Sequence, residues 1–486
     1  MKARIAAIAI GLLVVSVAWL VVSATGSDDS PRPTDPQRWG PAARSASGEP
    51  SASRDLRVTA PGMMAHLREL QRIADRHGGN RAAGTAGGRA SQDYVTQRLR
   101  EAGYRVGVQR IRFPYFDERG DPRVRLDGQD LFGVRTLVYS GGGSGGGPVH
   151  QIDPRGGETD ERDAGCRSGD FAGMPDGSVA LIERGTCRMR RKVDNAARAG
   201  ASAAIVFNDG RPGRRGTIRG TLGSPGAEVP AVFASEVPAV FASFATGRRL
   251  AAAEGGRVRV TVRATSERRS TANVVADLSG GGDQDVVMAG AHLDSVTDGP
   301  GINDNGSGVA ALLESAEAMA AAPGERRRAL RFAFWGAEEL GLIGSRRYVR
   351  RLERKERQRI VSYLNLDMVG SPNAGRFLYA SDDARGLRTS ARRALARAGV
   401  GVEVTDLRGG SDHAPFDRAG IPVVGLFSGA SAVKSTSQRG RWGGRAGAPF
   451  DRCYHRACDR LDGVDRRSLG ELGRAAANTL RALARR

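Results

Sequence analysis

Seven histidine and acidic residues in the second half of the chain have types and positions suited to metal chemistry. They are His292, Asp294, Asp304, Glu338, Glu339, Asp367 and His455. Most of them fall just after an apolar run or just before a helical one, which would bring them to one edge of a sheet. Two zinc ions about 3.5–4 Å apart need a shared carboxylate and roughly one histidine and one further carboxylate each, with a water in the remaining position. The sequence therefore predicts two Zn²⁺ per chain, held by His292, Asp304, Glu339, Asp367 and His455.

The two residues left over have chemistry that such a centre also requires. A water between two zinc ions must still lose a proton during attack, so a nearby carboxylate that is not a ligand is expected. Glu338, next to Glu339, is the candidate. Asp294, two residues after His292, can accept the other imidazole N–H and fix its tautomer. Each motif alone is common in structural roles, but their combination favours a metal centre.

The elements that must position these residues are predicted from the apolar pattern. After residue 266 the predicted strands cover residues 273–277, 286–291, 329–335, 360–368 and 421–427, and the predicted helices cover residues 308–322, 383–398 and 466–485. This alternation predicts an α/β fold, a three-layer α/β/α sandwich with a mostly parallel sheet. In such sheets ligands bind beyond the carboxyl ends of the strands, which is where the candidate residues fall.

An N-terminal region is expected to complete this catalytic domain. Over residues 61–104, apolar residues recur at helical spacing on both sides of a glycine-rich turn, which predicts a pair of helices. A strand-like run covers residues 104–113. Residues 141–147 are glycine at all but one position and predict a linker or a loose hairpin. We therefore assign residues 60–140 to the first part of the domain that residues 266–486 complete.

Residues 148–264 differ in character, with short β runs around one helix at residues 191–199. Gly165-Cys166, the strand and turn VALIERGTC at residues 179–187, and the helix end at Ala199-Gly200-Ala201 follow one another. Their order resembles the protease-associated (PA) domain and implies a small inserted α+β domain. Within it, EVPAVFAS at residues 228–235 is repeated at residues 236–243. We interpret the extra copy as a duplication absorbed in a surface loop.

The first 24 residues indicate export. Two basic residues precede an uncharged stretch over residues 5–24, which ends in small residues at a plausible cleavage point. Residues 1–24 are typical of a signal peptide, and without cleavage they would be a membrane anchor. Residues 25–59 are then a linker or propeptide. We expect a secreted protein, or one tethered at the cell surface.

The cysteines and the charge fit this location. In an exported protein four cysteines in two local pairs favour two disulfides, Cys166 with Cys187 and Cys453 with Cys458. The 486 residues carry a formal charge of +21. The arginines are spread along the chain, and no aromatic residues alternate with the short basic clusters to stack bases. We therefore expect no nucleic-acid partner.

Five motifs together resemble the exported bacterial leucyl aminopeptidases with co-catalytic zinc, which belong to metallopeptidase clan MH. The motifs are AHLDS at residues 291–295, GINDNGSG at 301–308, FWGAEELGLIGS at 334–345, NLDM at 365–368 and CYH at 453–455. The resemblance runs from about residue 61 to the C-terminus, with the PA domain inserted. It implies that His292 and Asp367 hold one zinc, that Glu339 and His455 hold the other, and that Asp304 bridges them.

The same resemblance implies roles for residues that do not bind metal. Glu338 would be the general base and then the general acid to the leaving amine. Tyr454 would donate a hydrogen bond to the tetrahedral oxyanion, as preorganised donors do generally. The Cys453–Cys458 disulfide would brace the loop that carries Tyr454. Gly410 stands where some close relatives have arginine, so recognition of the substrate amine by that arginine is not expected.

The expected function is that of a secreted, monomeric zinc aminopeptidase. It would hydrolyse N-terminal residues from peptides or proteins with a free N-terminus, through a zinc-bridging hydroxide. A possible tether by the N-terminal segment stays open. Two alternatives also stay open: a zinc acyltransferase of the glutaminyl cyclase kind, which works with one zinc, and a non-catalytic receptor-like member of the fold. Two complete ligand sets argue against the single-zinc acyltransferase. Receptor-like members lose ligands, whereas every ligand position is filled here, which argues against the receptor-like protein.

Overall fold

The computed structural model describes residues 56–153, 164–223, 237–278, 285–322, 326–382, 384–397, 399–406 and 409–486. The helices in these ranges are α1 (Ala60–Arg76), α2 (Ala86–Glu101), α3 (Met189–Arg198), α4 (Phe244–Ala251), α5 (Gly308–Ala321), α6 (Ile343–Arg351), α7 (Arg354–Arg359), α8 (Arg385–Arg397), α9 (His413–Arg418), α10 (Thr436–Trp442) and α11 (Arg466–Ala484). The strands are β1 (Arg105–Leu126), β2 (Gln129–Leu131), β3 (Val134–Thr136), β4 (Gly143–Gln151), β5 (Val179–Glu183), β6 (Ala203–Phe207), β7 (Ala239–Ala242), β8 (Arg257–Leu278), β9 (Val286–His292), β10 (Ala329–Trp335), β11 (Ile360–Leu366), β12 (Phe377–Ala380), β13 (Glu403–Val404) and β14 (Val423–Phe427).

The main sheet has the strand order β13-β12-β14-β11-β9-β10-β8, and β1 pairs with β8. The central strands β14, β11, β9 and β10 are parallel to their neighbours within this group. Strand β8 is antiparallel to β10. The four central strands therefore present their carboxyl ends at one edge of the sheet.

Helices cover both faces of the main sheet. On one face, Val287 and Ala289 of β9 belong to a core that also contains residues of α1, α5, α8 and α11. On the other face, Met288 packs in a core with Tyr348 of α6 and Phe416 of α9. Alternate residues of β9 thus serve opposite layers, as the two-residue period of a strand requires. The predicted three-layer α/β/α sandwich with a mostly parallel sheet is confirmed.

Two 22-residue strands, β1 and β8, join the main sheet to a smaller one. They pair antiparallel along almost their whole length, from Arg105 opposite Asp277 to Leu126 opposite Val258. The C-terminal half of β8 also pairs with β10, and its N-terminal half pairs with β4. The predicted boundary between residues 264 and 266 therefore falls inside one continuous strand.

The glycine-rich segment is a strand, so the prediction of a linker or loose hairpin over residues 141–147 was wrong. Gly143–Gln151 pairs antiparallel with β8 through residues 257–262 and parallel with β5. A Cβ at Gly145 would lie 2.0 Å from the carbonyl oxygen of Ser202, and one at Gly147 would lie 2.2 Å from that of Gly177. Glycine permits this close backbone approach, which a side-chain pattern gives no sign of.

The smaller sheet has the order β4-β5-β6-β7-β3 and forms an inserted module with α3 and α4. The Cys166–Cys187 disulfide forms within it, as predicted. The second EVPAVFAS copy supplies β7, so this copy is a buried strand, while the first copy lies outside the described residues. The N-terminal 55 residues, with the predicted signal or anchor, also lie outside them. No helix within the described ranges is long and apolar enough to cross a membrane.

Candidate metal centre

Three adjacent parallel strands place the first candidate residues. Strand β9 ends at His292, Glu338 and Glu339 follow β10, and Asp367 follows β11. Strand β9 lies between the other two, with His292 in register with Trp335 of β10. The four side chains therefore meet at the carboxyl edge of the sheet, as the sequence predicts.

The candidate ligand atoms form two groups that share Asp304. In the first group, Nε2 of His292 lies 3.2 Å from Oδ1 of Asp304 and 3.5 Å from Oδ1 of Asp367. In the second group, Nε2 of His455 lies 3.2 Å from Oδ2 of Asp304 and 3.0 Å from Oε2 of Glu339. Each group contains one imidazole nitrogen and two carboxylate oxygens. This is the donor set expected for two metal ions bridged by one carboxylate.

The bridging candidate lies in an irregular helical turn, Ile302–Ser307, which leads into α5. Asp459, directly after the loop that the Cys453–Cys458 disulfide closes (the cysteine loop), holds this turn in place. Its Oδ1 accepts the backbone N–H of Asn303 at 2.7 Å, and its Oδ2 accepts that of Asp304 at 2.9 Å. The peptide bond that follows Asp304 is cis. With its backbone held by Asp459, Asp304 directs its two carboxylate oxygens at the two histidines.

Arg81, between α1 and α2, connects two of the segments that carry candidate ligands. Its buried guanidinium donates hydrogen bonds to the main-chain oxygens of Leu293, Pro300 (2.9 Å) and Gly301 (2.6 Å). Burial lowers the pKa of Arg81 to about 10 against the opposing effect of nearby carboxylates, so the side chain stays charged at neutral pH. Arg81 thus holds the segment after β9 against the turn Ile302–Ser307.

Asp294 makes a different contact from the expected one. Its main-chain oxygen, and not its carboxylate, lies 3.1 Å from Nδ1 of His292. The carboxylate accepts the backbone N–H groups of Glu338 at 3.1 Å and Glu339 at 3.4 Å. The prediction was therefore wrong about which oxygen faces the imidazole. The physical reason is that buried N–H groups in the loop after β10 need an acceptor, and the Asp294 carboxylate supplies it.

A chain of buried side chains orients Asp367. Ser411 donates a hydrogen bond to its Oδ2 at 2.6 Å, which leaves Oδ1 directed at His292. Asn365, on β11, donates to Ser411 at 2.9 Å and to Oη of Tyr379 at 2.8 Å. The position of this candidate ligand is therefore set by residues of three separate segments.

Tyr454 and His455 lie in a short loop that the Cys453–Cys458 disulfide closes, as predicted. The backbone of His455 is left-handed, with φ of 58°, and its ring stacks on that of Tyr454 with centroids 3.8 Å apart. The side chain of His455 is 40% exposed, whereas that of His292 is 2% exposed. The group containing His455 is therefore the one that opens to solvent.

Negative charge is concentrated at this edge of the sheet. Burial and the neighbouring Asp304 raise the pKa of Glu339 to about 7. Burial also raises the pKa of Glu338 well above its usual range, although His292 opposes the rise. Burial would lower the pKa of His292, but Glu338 and Asp367 together raise it well above its ordinary value. Bound dications would balance this excess of carboxylates.

The orientation of the carboxylates fits bound zinc. Among the described residues, Oε1 of Glu339 and Oδ1 of Asp367 are buried and receive no hydrogen bond. Each of these carboxylates belongs to a different ligand group. Together with one histidine per group and the shared Asp304, they provide three protein donors for each ion, the number that leaves one position of a four-coordinate zinc for water or substrate.

The predicted ligands, Glu338, Asp294 and the loop with Tyr454 lie together here, whereas Cys166 and Cys187 lie in the inserted module. Two residues that shape the site were missed. Asp459 directly follows Cys458, and its place beside the cysteine loop was the available signal. Arg81 gave no such signal, because it lies in a polar loop 219 positions from Pro300, whose carbonyl it binds. Neither residue belongs to a motif that indicates metal binding.

Known proteins are similar to this chain in both sequence and fold. The model of peptidase family M28 matches residues 273–480, and that of the PA domain matches residues 147–250. An aminopeptidase of Pseudomonas aeruginosa is 38% identical over 432 residues, which cover 85% of this chain and 78% of the relative. A probable lipoprotein aminopeptidase of Mycobacterium tuberculosis is 39% identical over 462 residues, which cover 90% of this chain and 89% of the relative.

A solved structure agrees with these sequence matches. The crystal structure of a zinc aminopeptidase from Bacillus subtilis superimposes with a TM-score of 0.58 at 25% identity, over 89% of this chain and 97% of that one. The family match, the near full-length relatives and the site at the carboxyl edge of the sheet all point the same way. This chain belongs to peptidase family M28 and carries a PA domain.

Proposed function

We propose that this chain, an aminopeptidase of family M28, works with two zinc ions held around Asp304. The observation that carries the proposal is the shared carboxylate: Oδ1 of Asp304 faces His292 and Oδ2 faces His455, each at 3.2 Å. Asp367 completes one group and Glu339 completes the other. A site for a single ion would need only one of these two histidine–carboxylate groups.

Zinc bound in these groups would polarise the scissile carbonyl and acidify the attacking water. Glu338 is the base that takes the proton from that water. Its Oε2 lies 3.9 Å from Nε2 of His292, and its backbone is held by the Asp294 carboxylate. Burial raises the pKa of Glu338, which makes its carboxylate a better proton acceptor than an exposed glutamate. In this proposal the protonated Glu338 then passes the proton to the leaving amine.

Tyr454 stabilises the oxyanion that forms during attack. Burial and the carboxylates of Asp304 and Glu339 raise its pKa far above the usual value, so the phenol keeps its proton and remains a hydrogen-bond donor. Stacking on His455 holds the ring at the open side of the site. A fixed donor aimed at developing negative charge is effective because it does not reorganise during the reaction.

The substrates in this proposal are peptides or proteins with a free N-terminus. The relatives named as aminopeptidases support this class. The alternatives have less support. A single-zinc acyltransferase does not need the second ligand group, and a receptor-like protein does not need every ligand position filled together with a buried base.

We further propose that the enzyme acts outside the cytoplasm. The charge and apolar pattern of residues 1–24 and the two disulfides support export, and one relative is named as a lipoprotein. Sequencing the N-terminus of protein recovered from the culture medium tests the location. A new terminus after about residue 24 is expected, and protein found only inside the cell would contradict export.

Hydrolysis of leucine p-nitroanilide and its N-acetylated form tests the activity. Purified enzyme is expected to cleave the free amine, to leave the blocked compound intact, and to lose activity with a chelator. Zinc added back should restore the rate. Cleavage of the blocked substrate would contradict exopeptidase action, and activity that survives complete zinc removal would contradict the metal-dependent mechanism.

A further inference from the structure

A second cluster of ligand-type residues lies away from the active site, between α1 and α5. Nε2 of His66 on α1 lies 3.6 Å from Oε2 of Glu314 and 3.9 Å from Oε2 of Glu317, both on α5. The three ligand atoms lie within 4.8 Å of one another. The side chain of His66 is 5% exposed, and those of Glu314 and Glu317 are 13% and 24% exposed. The cluster is thus buried on the side of His66 and reaches solvent beside Glu317.

The imidazole is directed into the gap between the two carboxylates. The distances from Nε2 to the two Oε2 atoms, 3.6 and 3.9 Å, are those of loose ion-pair contacts and are longer than the usual N–H···O hydrogen bond. Nδ1 lies 2.6 Å from Oη of Tyr94 on α2. With its proton on Nδ1 and bound to Tyr94, the ring presents the lone pair of Nε2 to the gap. A partner on the other ring nitrogen is a regular feature of metal-binding histidines.

Each carboxylate keeps one oxygen for the gap because neighbouring groups occupy the other. Oε1 of Glu314 accepts the backbone N–H of Thr59 at 3.1 Å and its hydroxyl at 3.2 Å. Oε1 of Glu317 accepts two N–H groups of Arg98, at 2.9 and 2.8 Å. Both Oε2 atoms face His66. The cluster therefore offers three ligand atoms, one from each residue, already held in position by second contacts.

The spacing agrees with that of a bound ion. Zinc with ligands about 2.0–2.1 Å away in tetrahedral geometry separates its ligand atoms by about 3.3 Å. The His292 and His455 groups show separations of 3.0 to 3.5 Å between nitrogen and oxygen. The His66 group is only a few tenths of an ångström wider. The same ligand types thus occur at nearly the same spacing in a place the peptidase reaction does not use.

We propose that His66, Glu314 and Glu317 bind one additional zinc-class cation that fastens α1 to α5. An imidazole ligand favours zinc over calcium or magnesium, which prefer oxygen ligands and higher coordination numbers. Water would fill the fourth position at the exposed side of Glu317. Since α5 begins directly after the turn that carries Asp304, this ion supports the helix behind the catalytic centre without touching it.

Counting zinc by mass spectrometry after reconstitution and dialysis tests the proposal. His66→Gln should hold one zinc per chain fewer than the wild type. The matched control is His77→Gln, at the end of α1, where the ring contacts the carbonyl of Ile73 in the same helix and, among the described residues, forms no ion pair. His77→Gln should keep the wild-type count. Equal counts in the wild type and His66→Gln would overturn the proposal and leave an ion pair between His66 and the glutamates.

A variant without the catalytic ligands separates this site from the catalytic one. His292→Gln/His455→Gln should retain one zinc, and added zinc should raise its melting temperature. Adding His66→Gln should remove both effects. Glu317→Gln, at the partly exposed position, repeats the test if His66→Gln does not fold. A His292→Gln/His455→Gln protein that binds no zinc would overturn the proposed third site. A wild-type protein that holds zinc at His66 but none around Asp304 would contradict the proposed function and leave the third site standing.

Discussion

Glu338 is the residue on which the proposed chemistry depends most. It lies beside the proposed ligand Glu339 but belongs to neither group around Asp304, and its Oε2 lies 3.9 Å from Nε2 of His292. Glutamine keeps its size and removes its basicity. The variant therefore separates proton transfer from metal binding.

We predict that Glu338→Gln lowers kcat by about 10²–10⁴-fold, as expected for loss of a general base, while zinc content stays at the wild-type value. Steady-state kinetics with leucine p-nitroanilide and metal analysis of the same sample check this. Glu254→Gln, a 49% exposed residue of the inserted module, is the matched control and should be fully active. A metal-replete Glu338→Gln enzyme with normal turnover would rule out the role.

Zinc binding is also expected to depend on the segments that hold the proposed ligands in place. Asp459 accepts two backbone N–H groups of the turn that carries Asp304. In Asp459→Asn one of the two acceptors becomes an amide N–H₂ group that repels the backbone donor. We predict zinc affinity about 10- to 100-fold weaker, the usual cost of losing an outer contact to a ligand. Competition with a chromogenic chelator measures it, with Asp462→Asn as the control, since Asp462 is an exposed aspartate three residues further along the chain. Unchanged affinity would mean that the turn holds Asp304 without Asp459.

The cysteine loop is a second such segment. It carries Tyr454 and His455, and His455 has a left-handed backbone that only the surrounding structure maintains. We predict that Cys453→Ser/Cys458→Ser loses most activity and part of its zinc. Cys166→Ser/Cys187→Ser, in the inserted module, should keep both activity and zinc. Activity assays of the two variants side by side decide this, and equal activities would contradict a special role for the loop disulfide.

Strand ends were the part of the fold that sequence predicted best. Strands β9, β10 and β11 are mostly apolar runs, and the candidate ligands lie at their ends or within a few residues after them. Both the strands and the candidate ligands therefore follow from local pattern. Gly143–Gln151 has almost no side chains to show a pattern, and its pairing with β8 depends on backbone approach. The contact of Asp294 and the bonds of Arg81 depend on how distant loops meet. Local sequence carries no information about such contacts.

Metal binding should stabilise the folded molecule as a whole. Six carboxylates of the proposed site and its support lie close together, those of Asp294, Asp304, Glu338, Glu339, Asp367 and Asp459. Burial raises the pKa of Glu339 and Asp459 to about 7 in each case. Zinc binds the folded chain and offsets this unfavourable charge. We predict that chelation lowers the melting temperature by roughly 5–10 °C, as expected from tight binding to the native state. Calorimetry with and without chelator checks this, and identical transitions would contradict it.

The inserted module shares strand β8 with the catalytic sheet but has cores of its own. Its described residues contribute no ligand to either group around Asp304. The catalytic centre therefore depends on the main sheet and on the loops at its carboxyl edge. The module is joined to that sheet through the paired strands β1 and β8.

An anomalous difference map from a crystal grown with zinc is the most direct test of the dinuclear centre. Two peaks about 3.5–4 Å apart are predicted, one bounded by His292 and Asp367 and one by His455 and Glu339, with Asp304 between them. One peak alone at this edge of the sheet, or two peaks that Asp304 does not bridge, would contradict the proposed site.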